Sequence, residues 1–339
     1  MSLRAGKLPA EMLAGLLAKV THRDPRVLLG PGIGRDAAVI DLGDRMLVAK
    51  TDPITFATEH IGWYAVNVNA NDIACMGARP AWMLATALLP PGADDALPAR
   101  IFDQLSDACA QLEIELVGGH TEVTIGLDRP IVVGAMLGEA SRDEILLGEE
   151  AMPGDLVLMT KGIAIEGTSL LAREAPDTLR ARGVPDATVG RAASLLFEPG
   201  ISVVKDARII CATAKPRLLH DPTEGGVATA LLELAHAAGA RIRVDPANIA
   251  VLDETTAVCE ALGLDPLGLL ASGALLAIVR PGDYGQVAAA LRAVGIDCCA
   301  LGRVEAGAPD VILDGDDAAP LPRFDRDELA RFFEEQDGG

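Results

Sequence analysis

Residues 220–240, HDPTEGGVATALLELAHAAGA, constrain this chain more than any other stretch. Asp221 can cap a helix, Pro222 suits the first helical position, and Glu224 lies three residues after the cap, as a capping box requires. The residues that follow repeat apolar side chains at helical spacing. Gly225 and Gly226 then fall in the first turn, where each glycine costs about 1 kcal/mol relative to alanine. Two explanations offset that cost. A ligand could approach the backbone at a helix N-terminus, where free N–H groups favour anions such as phosphate. Alternatively, the helix packs tightly on a sheet.

Charge and composition narrow the ligand. The formal net charge is −20, which argues against binding nucleic-acid backbones or anionic membrane surfaces. It is compatible with a nucleotide accompanied by Mg²⁺, because the ion inverts the local electrostatics. Aromatic residues make up only 3%, too few for a base-stacking platform. Six cysteines, at 75, 109, 211, 259, 298 and 299, show no CxxC spacing and read as thiols of a reducing, cytoplasmic protein. Leu8, Met12, Leu13, Leu16, Leu17 and Val20 mark an amphipathic helix rather than a signal peptide. The apolar run Leu269–Val279 is broken by Ser272 and Gly273 and is too short to span a bilayer.

A turn at Ala151-Met152-Pro153-Gly154-Asp155 divides the chain into expected domains 1–150 and 151–339. In the first, strands are expected at 37–40 and 46–50 around a Gly43-Asp44 turn, then at 83–88, 115–117 and 131–137, with helices at 62–76 and 96–112. Gly118-Gly119-His120-Thr121 reads as the segment following its strand. In the second, strands are expected at 156–160, before His220, and at 242–244, 274–279 and 296–301. Helices are expected near 166–174, 186–197, 199–214, 253–262, 283–294 and 325–335. Strands and helices alternate without a strict βαβ rhythm, so the fold class is α+β, or mixed α/β.

Three aspartates of the first half share a setting. Asp36 follows a glycine loop, Asp52 ends a strand, and Asp72 lies in a helix with Asn67, Asn69 and Asn71. Strand ends and glycine turns let carboxylates converge on Mg²⁺, an ion that takes oxygen ligands and keeps substrate phosphates in its shell. Individually these residues also fit a turn, a strand-end cap and a solvated helix face. The asparagine run weakens an otherwise apolar helix and so points to a polar site or a subunit contact. No GxxxxGK[ST], helix-opening GxGxxG, GxSxG or HExxH occurs, so a nucleotide site here uses another architecture.

Taken in order, GIGRDAAVI (32–40), KTDPIT (50–55), AVNVNANDIACMGARPAW (65–82), GGHTEV (118–123), PGDLVLMTKGIAIEGTSLL (153–171) and HDPTEGGV (220–227) resemble the aminoimidazole ribonucleotide (AIR) synthase-related, PurM-like superfamily of ATP-binding proteins. The resemblance implies two domains, with a homodimer built on the first-domain sheets. It places ATP and Mg²⁺ in a cleft between domains near the dimer interface. Asp36, Asp52 and Asp72 would then ligate the metal. Asn69, Asn71, Gly119 and Thr121 would line the nucleotide, and Asp221, Thr223, Gly225 and Gly226 would face the phosphates or the substrate. The shared chemistry is γ-phosphoryl transfer to an oxygen of a small metabolite, as a kinase or an ATP-driven dehydratase or cyclase. The alternative is a non-catalytic ATP-binding partner in metalloenzyme or cofactor maturation.

Within the superfamily the chain most resembles the hydrogenase-maturation HypE family. That family ends in a Pro-Arg-Ile-Cys-type tail whose cysteine carries the carbamoyl group, whereas the last cysteine here is Cys299. Thiamine-monophosphate kinases have Ser-Asp-Gly where this chain has Thr223-Glu224-Gly225. AIR synthases carry Asp-Gly-Val-Gly-Thr-Lys, and selenophosphate synthetases an N-terminal Cys or Sec loop; both are absent. Arg35 and His120 stand where many members have acidic residues, and Glu122 is a nearby carboxylate. His120 and Asp221 are the candidate catalytic residues, histidine because it can exchange protons near neutral pH.

Overall fold

A computed structural model describes residue 8 and residues 10–21, 23–32, 36–148, 150–315 and 319–337. Ile33, Gly34 and Arg35 of the glycine loop lie outside the described residues. The chain forms two bodies. One spans Asp36–Ile145 and includes the strand at 27–29. The other runs from Leu146 onward and takes in the first helix, α1 (Ala10–Leu17), which the sequence reading had grouped with the first domain.

The N-terminal body is one six-stranded sheet with two helices. Its strands are β1 (Val27–Leu29), β2 (Ala38–Asp41), β3 (Met46–Ile54), β4 (Arg79–Leu89), β5 (Glu115–Val123) and β6 (Ile131–Ala140), in spatial order β1-β2-β3-β6-β4-β5. All neighbours are antiparallel except β4 and β5. Alternation along the strands decides which face is covered. On β6 the even-numbered residues, Val132 to Ala140, are buried, and on β4 the odd-numbered residues from Ala81 to Leu89. Helix α2 (Ile61–Cys75) packs there on β3 and β6, with α3 (Leu97–Gln111) against it. Two glycines of β6 permit the approach. A Cβ at Gly134 would lie 2.4 Å from Asn69 Nδ2, and one at Gly138 would lie 2.2 Å from Ile73.

β5 differs from expectation. Gly118-Gly119-His120-Thr121 does not leave the sheet after Val117; the strand continues to Val123, paired in parallel with β4. Gly119 allows this, because a Cβ there would sit 1.9 Å from the Ala85 carbonyl oxygen. β5 is an edge strand, and eight of its nine residues are exposed.

The C-terminal body holds a second six-stranded sheet: β7 (Leu156–Thr160), β8 (Leu218–His220), β9 (Arg241–Val244), β10 (Leu276–Val279), β11 (Cys298–Glu305) and β12 (Asp310–Leu313), in order β12-β9-β11-β7-β10-β8. The central strands LVLMT and LAIV are apolar runs, as strands covered on both faces require. The helices are α4 (Ile165–Glu174), α5 (Pro176–Ala181), α6 (Asp186–Ser194), α7 (Val204–Thr213), α8 (Gly226–Ala238), α9 (Asp253–Leu262), α10 (Tyr284–Arg292) and α11 (Glu328–Asp337). α6 ends, and α7 starts, well short of the expected boundaries near Pro199. Among the described residues no helix is long and apolar enough to cross a membrane.

Candidate active site

In the N-terminal body, two of the three predicted metal ligands come together. The even-numbered residues of β3 face α2. Met46, Val48 and Ile54 are buried in that seam. Lys50 and Asp52 occupy it where the polar end of α2 arrives. Asn69 is fully buried and clamps the β3 backbone: its Oδ1 accepts the Asp52 N–H at 2.9 Å, and its Nδ2 donates to Asp52 O at 3.3 Å and to Ala65 O at 2.8 Å. Asp72 lies almost one turn further on and is also buried. The Lys50 ammonium joins the two carboxylates, 3.2 Å from Asp72 Oδ1 and 3.3 Å from Asp52 Oδ2. Thr51, on the other face, donates its hydroxyl to Gly134 O at 2.7 Å.

The remaining polar residues of α2 are buried as well. Asn67 Nδ2 donates to Trp63 O at 2.9 Å, and Asn71 is fully enclosed. None lies on a solvated helix face, which was the alternative open for Asp72 taken alone; the run's own two readings, a polar site or a subunit contact, both remain. Asp36 is half-buried just ahead of β2. Ala38 pairs with Ala49, which carries Asp36 to the end of the hairpin where Lys50 and Asp52 sit.

The donor set suits Mg²⁺: hard carboxylate oxygens from two rigid elements, already sharing one cation, the lysine ammonium. Lys50 is the site residue that sequence reasoning missed. Its signal was a lysine directly ahead of the Thr51-Asp52 motif.

His120 is exposed on β5, with Nε2 3.1 Å from Glu122 Oε2. Gly119 and Thr121 flank it on the same exposed strand.

The opening motif folds differently from its capping-box reading. α8 begins at Gly226, and its N-cap is Gly225 rather than Asp221. Both glycines are left-handed, with φ of +87° and +69°, so they precede the regular turn rather than weaken it. A Cβ on Gly226 would lie 2.3 Å from Leu267 O, and one on Gly225 2.4 Å from Thr229 Oγ1. Backbone conformation and packing therefore account for the pair. The Gly225 N–H does meet an anion, but an internal one: it donates to Asp327 Oδ2 at 2.6 Å. Asp327 Oδ1 accepts from Leu329 at 2.8 Å and Leu270 at 3.3 Å, so one carboxylate serves the starts of both α8 and α11.

Around this point lie further buried acids. Asp221 is 1% exposed and Glu166 5%. Burial pushes the Glu166 carboxyl up to about 7, opposed by the Ser272 hydroxyl and N–H beside it and reinforced by Asp327 and Asp221. Burial also raises Asp327 to about 7, against the pull of its N–H donors. Thr223 O accepts from Gly226 at 3.0 Å and from Ala271 at 3.2 Å, tying this turn to the 269–273 loop. His220 is buried, 3.1 Å from Glu233.

Residues 34–140 match the AIR synthase related protein N-terminal domain, and residues 152–314 its C-terminal domain. The chain belongs to the AIR synthase-related family. A carbamoyl dehydratase HypE of Azotobacter vinelandii is 31% identical over 265 residues, 76% of this chain and 74% of that one. A putative hydrogenase expression/formation protein of Methanocaldococcus jannaschii is 28% identical over 263 residues, 76% of this chain and 75% of that one. A selenide, water dikinase of Myxococcus xanthus is 28% identical, covering 91% and 93%. Among solved structures, hydrogenase maturation protein HypE superposes with a TM-score of 0.71 at 25% identity, covering 91% and 97%. HypE in complex with ATP gives 0.67 at 24%, covering 89% and 92%. The AIR synthase-related chain is thus related to named enzymes of two kinds, a dehydratase and a dikinase.

Leu329, Ala330 and Phe332 of α11 are core residues.

Proposed function

We propose that this chain is an ATP- and Mg²⁺-dependent enzyme that transfers the γ-phosphoryl group to an oxygen of a small metabolite. The observation that carries the reading is the convergence of Asp52 and Asp72, from β3 and α2, on one cation position. Asp52 and Asp72, with Asp36 at the same hairpin end, would hold the metal. When bound, Mg²⁺ neutralises charge on the phosphate oxygens. The chain's own part is positioning. Asn69 fixes the backbone that carries Asp52, and the seam with β6 fixes the helix that carries Asp72. Asn71, Gly119 and Thr121 complete the nucleotide-side set, and Thr223 the phosphate or substrate side; Gly225 and Gly226 shape the turn that presents it. In this reading His120, which is accessible, exchanges the proton. Asp221, sealed from solvent, acts through its charge.

The same body supports a homodimer. The sheet face away from α2 carries Leu84, Leu88, Val133, Ala135 and Leu137, none fully buried within the chain. The β5 edge adds Val117 and Val123, 55% and 64% exposed. A second copy covering this face would remove both the apolar patch and the open edge.

His120, where many members of the family carry an acidic residue, favours a second reading. That reading is a nucleotide-binding partner in cofactor or metalloenzyme assembly. Calorimetric titration with Mg·ATP is the test. No heat at millimolar nucleotide refutes both readings; tight binding without turnover across a metabolite panel favours the partner role.

A further inference from the structure

The Lys50 contacts have a consequence that the metal reading alone does not contain. A rigid frame holds the two carboxylates. Three hydrogen bonds of the buried Asn69 fix the Asp52 backbone and the helix above it, and Gly134 leaves Asn69 the room to make them. The Asp72 side chain is 5% exposed. Lys50 is the flexible member: a four-carbon stem with its side chain 21% exposed, reaching two acids that would otherwise repel each other. A divalent cation binding carboxylate oxygens at about 2.0–2.1 Å needs the space and the lone pairs that the ammonium now uses.

We infer that Lys50 is a resident counter-ion: it holds Asp52 and Asp72 together in the metal-free protein and, when the divalent cation enters, gives up the pair and turns its ammonium to the phosphate oxygens of the nucleotide. The exchange keeps the site near neutrality throughout. The pair is never left uncompensated, and the displaced charge arrives where the polyphosphate needs it. This rests on the metal–nucleotide reading above, and it makes Lys50 a positioning and phosphate-binding residue rather than a structural one.

The test uses the full chain in three forms: wild type, Lys50→Met, which keeps most of the stem and removes the charge, and Lys50→Arg, which keeps the charge on a planar, bidentate group. Mn²⁺ affinity without nucleotide is read from the free-ion signal in electron paramagnetic resonance. Mg·ATP affinity is read by calorimetry. Lys50→Met should bind Mn²⁺ roughly two- to fivefold tighter, the range expected when a half-screened ion-pair competitor is removed, and Mg·ATP roughly tenfold weaker. Lys50→Arg should bind Mn²⁺ more weakly than wild type, because a bidentate guanidinium is harder to displace. Opposite shifts for metal and nucleotide are the signature, since a merely structural lysine would weaken both. Equal or weaker Mn²⁺ binding by Lys50→Met overturns the inference. If Lys50→Met does not fold, tighter or unchanged Mn²⁺ binding by Lys50→Arg overturns it instead. A wild type that binds no Mg·ATP refutes the proposed function. A wild type that binds it, with no crossed shifts in the variants, refutes only the role of Lys50.

Discussion

Each body contains a group of acidic side chains, and the two groups are compensated in opposite ways. In the N-terminal body, Asp52 and Asp72 share a lysine ammonium at the edge of solvent. In the C-terminal body, Glu166 and Asp327 are buried, and backbone N–H donors and raised proton affinity take the place of a cation. The first arrangement can exchange one cation for another, because its charge is held by a mobile side chain. The second cannot exchange anything without opening the core, because its charge is held by the starts of α8 and α11. Under the proposed function the difference separates a binding element from a structural one, even though Asp52, Asp72 and Glu166 all lie in segments that match the family.

Removing one carboxylate from the first group should have the largest effect. Asp72→Asn leaves the fold intact, since the amide can replace the carboxylate as acceptor toward Lys50. It removes the buried half of the metal's charge, so Mg·ATP affinity should fall roughly a thousandfold by calorimetry, the scale of breaking a buried charge pair. Circular dichroism should show an unchanged spectrum. Retained affinity would mean that the pair is structural like its counterpart, and the contrast between bodies would disappear.

The helix start of the second group comes next. Gly226→Ala places a Cβ 2.3 Å from the Leu267 carbonyl oxygen at a φ of +69°. Neither strain can be relieved by a rotamer, so the C-terminal body should lose about 3 kcal/mol in urea unfolding. Gly225→Ala, at a φ of +87°, meets the Thr229 side chain rather than backbone, its Oγ1 first and its Cβ at 2.9 Å; turning the hydroxyl relieves part of this, so the loss should be smaller. If ligand approach rather than packing set the glycine pair, both variants would keep their stability and lose only nucleotide affinity.

These two groups also mark how far the sequence could be read. The buried polar cluster of α2 was legible because asparagines and an aspartate weaken an apolar helix unless a polar site or a subunit contact uses them, and because the motifs run along the chain in the family's order. The start of α8 was not. Asp221-Pro222-Thr223-Glu224 satisfies the local rules for a cap, but the helix start is set by Leu267 and by Asp327, whose carboxylate comes from 102 residues away. A local rule cannot weigh a tertiary competitor. β5 shows the same limit: two glycines and a histidine read as a loop until β4 supplies a strand to pair with. Lys50 looked like an ordinary strand residue because its meaning depends on α2 arriving beside β3. Glu166 and Asp327 went unread for the same reason: an acid at a helix start reads as a solvated cap unless its burial is known.

Buried acids with raised proton affinity make a pH prediction specific to the C-terminal body. Glu166 and Asp327 rise from ordinary values of 4.5 and 3.8 to about 7 on folding. Between those values the folded chain binds more protons than the unfolded one. Their contribution to stability is therefore complete below about pH 4 and declines as pH rises through about 7. The decline is on the order of 3 kcal/mol per group if each titrates alone. Urea unfolding at pH 5 and pH 8, followed by far-UV circular dichroism, should show it, and Glu166→Gln should remove a large part of the slope. Both tryptophans, Trp63 and Trp82, lie in the N-terminal body, so their fluorescence is an internal reference. Stability that instead rises from pH 5 to 8 would show the acids to be ionised and paired, like Asp52 and Asp72.

His120 gives the smallest stability effect and the sharpest test of accessibility. Its side chain is 64% exposed on an edge strand, and its partner Glu122 is 48% exposed. A solvent-screened pair of this kind contributes little, so His120→Ala should change unfolding free energy by less than about 0.5 kcal/mol. A residue with no packing role can still matter where a second chain or a substrate covers it. If β5 lies in a homodimer interface, the variant should weaken self-association in sedimentation velocity. If His120 exchanges a proton in the reaction, it should lower turnover and flatten the pH–rate profile near neutrality while leaving Mg·ATP affinity unchanged. A variant identical to wild type in both measurements would place His120 outside the site, leaving the aspartates of β3 and α2 as the functional centre of the N-terminal body.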